Sequence, residues 1–226
     1  MNDLDIVRHP RARTLRLSLD PVTGRARLTL PRRAALGPAL AWAEGKRGWL
    51  VAQRACLPAA RPFAHGTTIT VADDVLAIRW TEGKRRGVVR HGATLDVQGP
   101  PDTLPRRIEA WLRGEALAVL SGDTADYATA AGVAITRVAV GDARGRWGSC
   151  ASSGVIRYSW RLLLAPTWVR RATVAHEVAH RVHMNHGPAF HTLVAELFGA
   201  DPTPARDWLR HHGAALHWVG RSAGAG

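Results

Sequence analysis

Cysteine is nearly absent from this 226-residue chain: Cys56 and Cys150 are too few for a disulfide framework. Long apolar runs are missing too. No stretch approaches the roughly 18 consecutive apolar residues of a membrane span. The opening residues, Met-Asn-Asp-Leu-Asp, are acidic and hold no apolar signal core, so the cytoplasm is the expected location. Lysine is almost missing as well. Lys46 and Lys84 are two of 31 cationic residues, which leaves 29 arginines to carry a net charge of +13. A field of that sign attracts nucleic acid or polyphosphate. Yet the arginines are scattered, at Arg11, Arg13, Arg32, Arg33, Arg85, Arg86, Arg106, Arg107, Arg170 and Arg171, and no aromatic-interleaved patch is there to read bases. Codon composition alone can also produce such usage. The chain has no internal repeat and no Gly-rich phosphate loop. With 46% hydrophobic residues it can bury an ordinary core, as one lobed domain or two small ones.

What is present is concentrated between residues 176 and 186, His-Glu-Val-Ala-His-Arg-Val-His-Met-Asn-His. His176 and His180 are four residues apart. On a helix that offset turns roughly 400°, so both imidazoles leave one face about a turn apart. Two neutral ring nitrogens so placed can grip one Zn²⁺ at about 2.0–2.1 Å each. Glu177 follows the first ligand, where its carboxylate can reach a water on the metal without binding the metal itself. This is the two-histidine, one-base arrangement of zinc hydrolases. Pro166 suits the first turn of the helix. Val169, Val174, Val178 and Val182, with Ala172, Ala175 and Ala179, form a stripe that can pack on a core while the histidines line a cleft.

The third ligand follows from turn chemistry. Asn185 and Gly187-Pro188 break the helix near Met184, and Pro188 opens another whose apolar face is Phe190, Leu193, Val194 and Leu197. His186, at that junction, can swing round to complete a three-ligand site with an open fourth position. Glu196 is the other option, and His183 points about 60° off the His176/His180 line. The His180-to-His186 spacing equals that of metzincins, but His183 occupies their glycine position and no methionine follows Met184 to form a Met-turn. Ser149 and Cys150 lack the second glycine of a nucleophile elbow, so Cys150 reads as a small buried residue near the site. His211, His212 and His217 are expected to face solvent.

Periodicity gives an α+β layout. Leu15, Leu17 and Leu19 pair across the Asp20–Gly24 turn with Arg25–Leu30, and residues 33–57 read as one helical stretch around Leu40, Trp42, Trp49 and Leu50. Thr67–Val71, Val75–Trp80, Arg86–Arg90 and Thr94–Val97 read as strands of a meander. Pro100-Pro101 then marks the change to the second half. A helix from Leu104 to about Ala130, strands at Ile135–Val140 and Gly154–Trp160, and a last helix over Thr203–Trp218 complete the reading. The expected division is a β-rich region with one helix over 1–100, a catalytic region over 101–220 and a flexible tail over 221–226. The segment 144–150 is a candidate edge for an extended substrate, with Arg146 and Trp147 as substrate-binding residues and packing as the other role of Trp147.

Arg146-Trp147-Gly148-Ser149-Cys150, Trp160-Arg161-Leu162 with Ala165-Pro166, His176-Glu177-Val178-Ala179-His180 and Asn185-His186-Gly187-Pro188-Ala189-Phe190 together resemble the YgjP-like metallopeptidase domain, a relative of the SprT-like proteases. The likeness runs in order over about half of the chain. It implies a zincin-like lobe in which His176, His180 and His186 hold zinc and Glu177 is the general base of a cytoplasmic metallopeptidase. Peptide or protein is the implied substrate, with nucleic acid or nucleotide as a possible anionic partner. Two other activities belong to the resemblance: a nucleoside triphosphate (UTP-type) pyrophosphatase and a DNA-associated protease. His191 stands where the family usually has Trp, and Arg171 where an aromatic is common; both are expected to alter the cleft.

Overall fold

The computed structural model describes residues 4–83 and 87–222, in two compact units, one ending at Ala60 and one spanning Arg61–Arg221. Arg86, the expected start of a strand, and most of the expected tail lie outside the described residues. No helix among those residues is long and apolar enough to cross a membrane.

In the first unit, β1 (Leu4–His9), β2 (Arg16–Leu19) and β3 (Ala26–Pro31) form a sheet with β3 in the middle, antiparallel to β2 and parallel to β1. The expected hairpin is therefore present. β1 escapes a pattern reading because Ile6 and Val7 are both exposed, which leaves no alternation to see. Along β3 the pleat is plain: Ala26, Leu28 and Leu30 are buried and Arg27 is exposed. The buried face packs on Ala39 and Ala43 of α1 (Leu36–Glu44). The expected single helix is in fact two. It breaks at Gly45-Lys46, where glycine lowers the cost of leaving helical geometry, and resumes as α2 (Arg47–Ala55). Trp42 and Trp49 remain exposed.

In the second unit, β4 (Thr68–Val71), β5 (Asp74–Thr81), β6 (Val88–His91) and β7 (Thr94–Gln98) form a sheet of order β4-β5-β7-β6. A meander would have placed β6 beside β5. Instead β7 inserts between them, parallel to β5. Burial explains the order: Leu76, Ile78, Leu95 and Val97 are all buried and belong at the centre, whereas Val89 of β6 is exposed and suits an edge. This sheet shares its core with α3 (Leu104–Ala131), whose Ile108, Leu112, Ala116 and Leu120 repeat at four-residue intervals. The boundary between units consequently falls at residue 60, not near residue 100.

β8 (Arg137–Gly141), β9 (Gly148–Cys150) and β10 (Val155–Ser159) form a third sheet with β10 central and β9 at an edge. Next comes α4 (Thr167–Ala179), the helix of the histidine motif. Pro166 precedes it and no side chain of its own caps it. The cap is supplied from 94 residues away: Asp73, in the β4–β5 turn, accepts from the Thr167 N–H at 3.1 and 3.2 Å. Further along, Asp123 of α3 accepts from Arg170 Nε at 2.8 Å and from Arg171 Nη1 at 2.9 Å. Asp123 and Arg170 are both buried, so each satisfies a charge that the other could not leave bare.

α4 ends at Ala179, one turn before the expected Met184. Val182 is therefore exposed, while Val169, Val174 and Val178 are buried as their spacing implies. The chain tightens instead into i→i+3 bonds, Arg181 N–H to Val178 O at 2.8 Å and Val182 N–H to Ala179 O at 3.0 Å. α5 (Pro188–Phe198) and α6 (Thr203–Leu216) follow, α5 closing at Gly199 in the left-handed conformation.

Candidate metal centre

One helix end and one loop deliver three imidazoles to a single place. His176 lies in the last turn of α4, His180 caps that helix, and His186 stands in the turn before α5. One donor atom of each lies within 4.8 Å of the others. His176 Nε2 and His186 Nε2 are 3.3 Å apart. Two Zn–N bonds of about 2.0–2.1 Å at a tetrahedral angle subtend about 3.3–3.4 Å, so the donors fit such an ion.

His180 shows how one of these donors is oriented. Its Nδ1–H donates to the His183 carbonyl oxygen at 3.0 Å; a carbonyl only accepts, so the proton is on Nδ1 and Nε2 keeps its lone pair. His183 thus contributes backbone and not its ring. Burial, reinforced by the neighbouring imidazoles, pushes His176 down to about 4 and keeps it neutral near pH 7. Under all three rings lies Phe190, fully buried, its centroid 4.9, 4.5 and 4.8 Å from His176, His180 and His186. The sequence showed Phe190 only as a core residue. Its role as a floor emerges when α5 folds back across the end of α4.

Glu177 is 6% exposed and shares a cleft of about 410 Å³ with His176 and His186. Burial raises its carboxyl to about 7, against the opposing pull of the Arg146 charge. Its neighbour on the far side is β9. A Cβ built on Gly148 would stand 2.6 Å from Glu177 Cγ and 2.7 Å from Cδ. Glycine at 148 is thus the space that the carboxylate occupies. A Gly148→Ala chain is expected to keep its metal content but lose about 10²-fold in kcat/KM, because the Glu177 carboxylate must move by a methyl radius. Unchanged hydrolysis by that variant would show that Glu177 has room to spare.

Arg146 and Trp147 both line the cleft. Trp147 is also packed, as its other reading required: a Cβ on Gly213 of α6 would meet its Cζ2 at 2.6 Å, and the His217 ring lies 5.4 Å away. His217 does not face solvent as expected. It is 4% exposed, 4.0 Å from Asp142, and burial drives it down to about 4. His211 and His212 are exposed. Glu196 is exposed and outside the group of metal-competent side chains. Of the two departures from the family pattern, His191 lines the cleft. Arg171 turns instead to Asp123 and lies 4.9 Å over the Tyr127 ring. The residues that sequence reasoning missed are on α6, where Ala205, Arg206 and Leu209 form a wall of the cleft. Nothing local marks them, since α6 reaches the site only through the tertiary fold.

No curated protein and no solved structure matches the chain. The sequence profile of the family described as "YgjP-like, metallopeptidase domain" matches residues 13–212, which include the histidine motif, the Arg146–Cys150 segment and the cleft wall of α6. The chain belongs to the YgjP-like metallopeptidase-domain family.

Proposed function

We propose that the chain is a zinc-dependent peptidase in which His176, His180 and His186 hold the ion and Glu177 moves the proton. The observation behind this reading is the convergence of three imidazole donors, two of which line one cleft together with a buried carboxylate. An all-imidazole donor set favours zinc over magnesium or calcium, which take oxygen ligands. When bound, the ion supplies Lewis acidity toward a carbonyl oxygen and lowers the pKa of water. Glu177 accepts the proton of the attacking water on a carboxylate oxygen and returns it to the departing amine nitrogen. Gly148 holds that carboxylate against β9. The edge position of β9 lets an extended peptide lie alongside it, with Arg146 and Trp147 at the preceding bend.

Untagged protein is expected to carry a divalent ion by elemental analysis and to cleave casein. A chelator should stop cleavage, and added zinc should restore it. Replacing His186 with alanine should weaken the ion by more than about 100-fold, the upper range for losing only an outer partner of a ligand. If His186→Ala binds the ion as tightly as the parent chain, His186 leaves the ligand set. A fully loaded chain that spares casein and unstructured peptides sinks the peptidase reading.

A further inference from the structure

Among the described arginines of the second unit, two sets differ in their partners. Arg79, Arg90, Arg113, Arg161, Arg170 and Arg171 sit in ion pairs with carboxylates of the same unit. Arg146 and Arg206 line the cleft, and among the described residues neither side chain has an ion pair, a hydrogen bond or an aromatic ring. They lie on different walls, Arg146 before β9 and Arg206 on α6. Both line the same cleft as His176, His186 and Glu177. Glu177, the lone carboxylate of the lining, is committed to proton transfer in the reading above and sits against Gly148. The cleft therefore presents two guanidinium groups without an ion pair or hydrogen bond of their own among the described residues, beside the three imidazoles.

We propose that the cleft selects peptides carrying an aspartate or glutamate next to the scissile bond, with Arg146 and Arg206 as the residues that receive the acidic side chain. This rests on the peptidase reading and adds the substrate class. A guanidinium presents a planar fork that matches a carboxylate in two parallel hydrogen bonds. The same fork also fits phosphate, so a nucleoside triphosphate is the competing ligand in the test; the carboxylate is favoured here because the peptidase reading brings peptide side chains into this cleft. At the start of α6, beside the cleft, the Thr203 N–H already donates to Asp201 Oδ1 at 2.9 Å.

The test uses the full zinc-loaded chain and three peptides that differ only in the residue beside one cleavable bond: glutamate, glutamine or lysine. The glutamate peptide is expected to exceed the glutamine peptide by about tenfold in kcat/KM, with added salt shrinking the ratio. Arg206→Ala should reduce that ratio to about threefold, and Arg206→Glu should place the lysine peptide first. Fluorescence anisotropy of the same peptides on the Glu177→Gln chain reads recognition without turnover and should give the same ranking. Equal kcat/KM and equal binding for glutamate and glutamine peptides overturn the proposal. So does a preference that survives Arg206→Glu unaltered, or a nucleoside triphosphate that binds more tightly than the glutamate peptide and is hydrolysed. If no peptide is cleaved while the anisotropy ranking holds, the acidic preference stands and the peptidase reading fails.

Discussion

A Glu177→Gln chain is expected to hold its metal as the parent does and to turn over peptide about 10³-fold more slowly, within the range ascribed to a single general acid–base group. Glutamine keeps the shape and the packing against Gly148 but has no oxygen that can take a proton and give it back. No other carboxylate lines the cleft to substitute. The effect should fall on kcat with KM little changed, because the lost interaction is made in the transition state. Metal content by elemental analysis and steady-state kinetics on one preparation decide the matter. Turnover at the parental rate, with the ion present, would falsify the assignment of Glu177 as the base.

Arg161→Ala is expected to cost about 3 kcal/mol of unfolding free energy, the low end for stripping one partner from a buried pair, since Asp142 keeps some solvent. Arg161 is 7% exposed and spends its whole guanidinium internally. Nε and Nη2 donate to Asp142 at 2.7 and 3.1 Å, while Nη1 donates to the carbonyls of Leu216 and Val219 at 2.8 and 3.0 Å. Its Cζ also lies 4.4 Å over the Trp160 ring. Asp142 leads into the Arg146–Cys150 segment and Leu216 ends α6, so this one side chain ties together both walls of the cleft. Arg161→Lys should recover only part of the loss, because an ammonium cannot serve a carboxylate and two carbonyls in that fixed fan. Urea midpoints of the three chains give the comparison. Midpoints that coincide would mean the fan is incidental to stability.

The centre was largely legible because its logic is local. The i,i+4 spacing of His176 and His180 needs only a helix, and the turn residues around His186 need only a chain reversal. The fold was legible to the same depth: strands with clean alternation, such as β3, stand out, and so does the long stripe of α3. What could not be read depends on partners distant in sequence. The pairing of β5 with β7 is chosen by shared burial, and no feature of residues 81–94 announces it. α4 stops early, in i→i+3 bonds at Arg181 and Val182, and the His183 carbonyl then meets the His180 ring, a bond visible only once the chain has turned. His217 reads as a surface histidine until Trp147 and Asp142 close over it. The same holds for the charge. Arg161 and Arg170 look like part of a diffuse basic surface in sequence and prove to be internal struts, while Arg171 stays half-buried and joins the same Asp123.

The early end of α4 also has an electrical consequence. Peptide dipoles leave a partial positive charge at the start of a helix and a partial negative charge at its finish. Asp73 stands at the start of this one, and His176 and His180 sit in its last turn and at its cap. Had the helix run on to Met184, the pair would have been mid-barrel, away from the unpaired carbonyls. As built, a divalent ion held by these rings would also be a counter-charge to the helix terminus, worth about 0.3–1 kcal/mol for an exposed unit charge. Asp73 and such an ion would complement opposite poles of one rod.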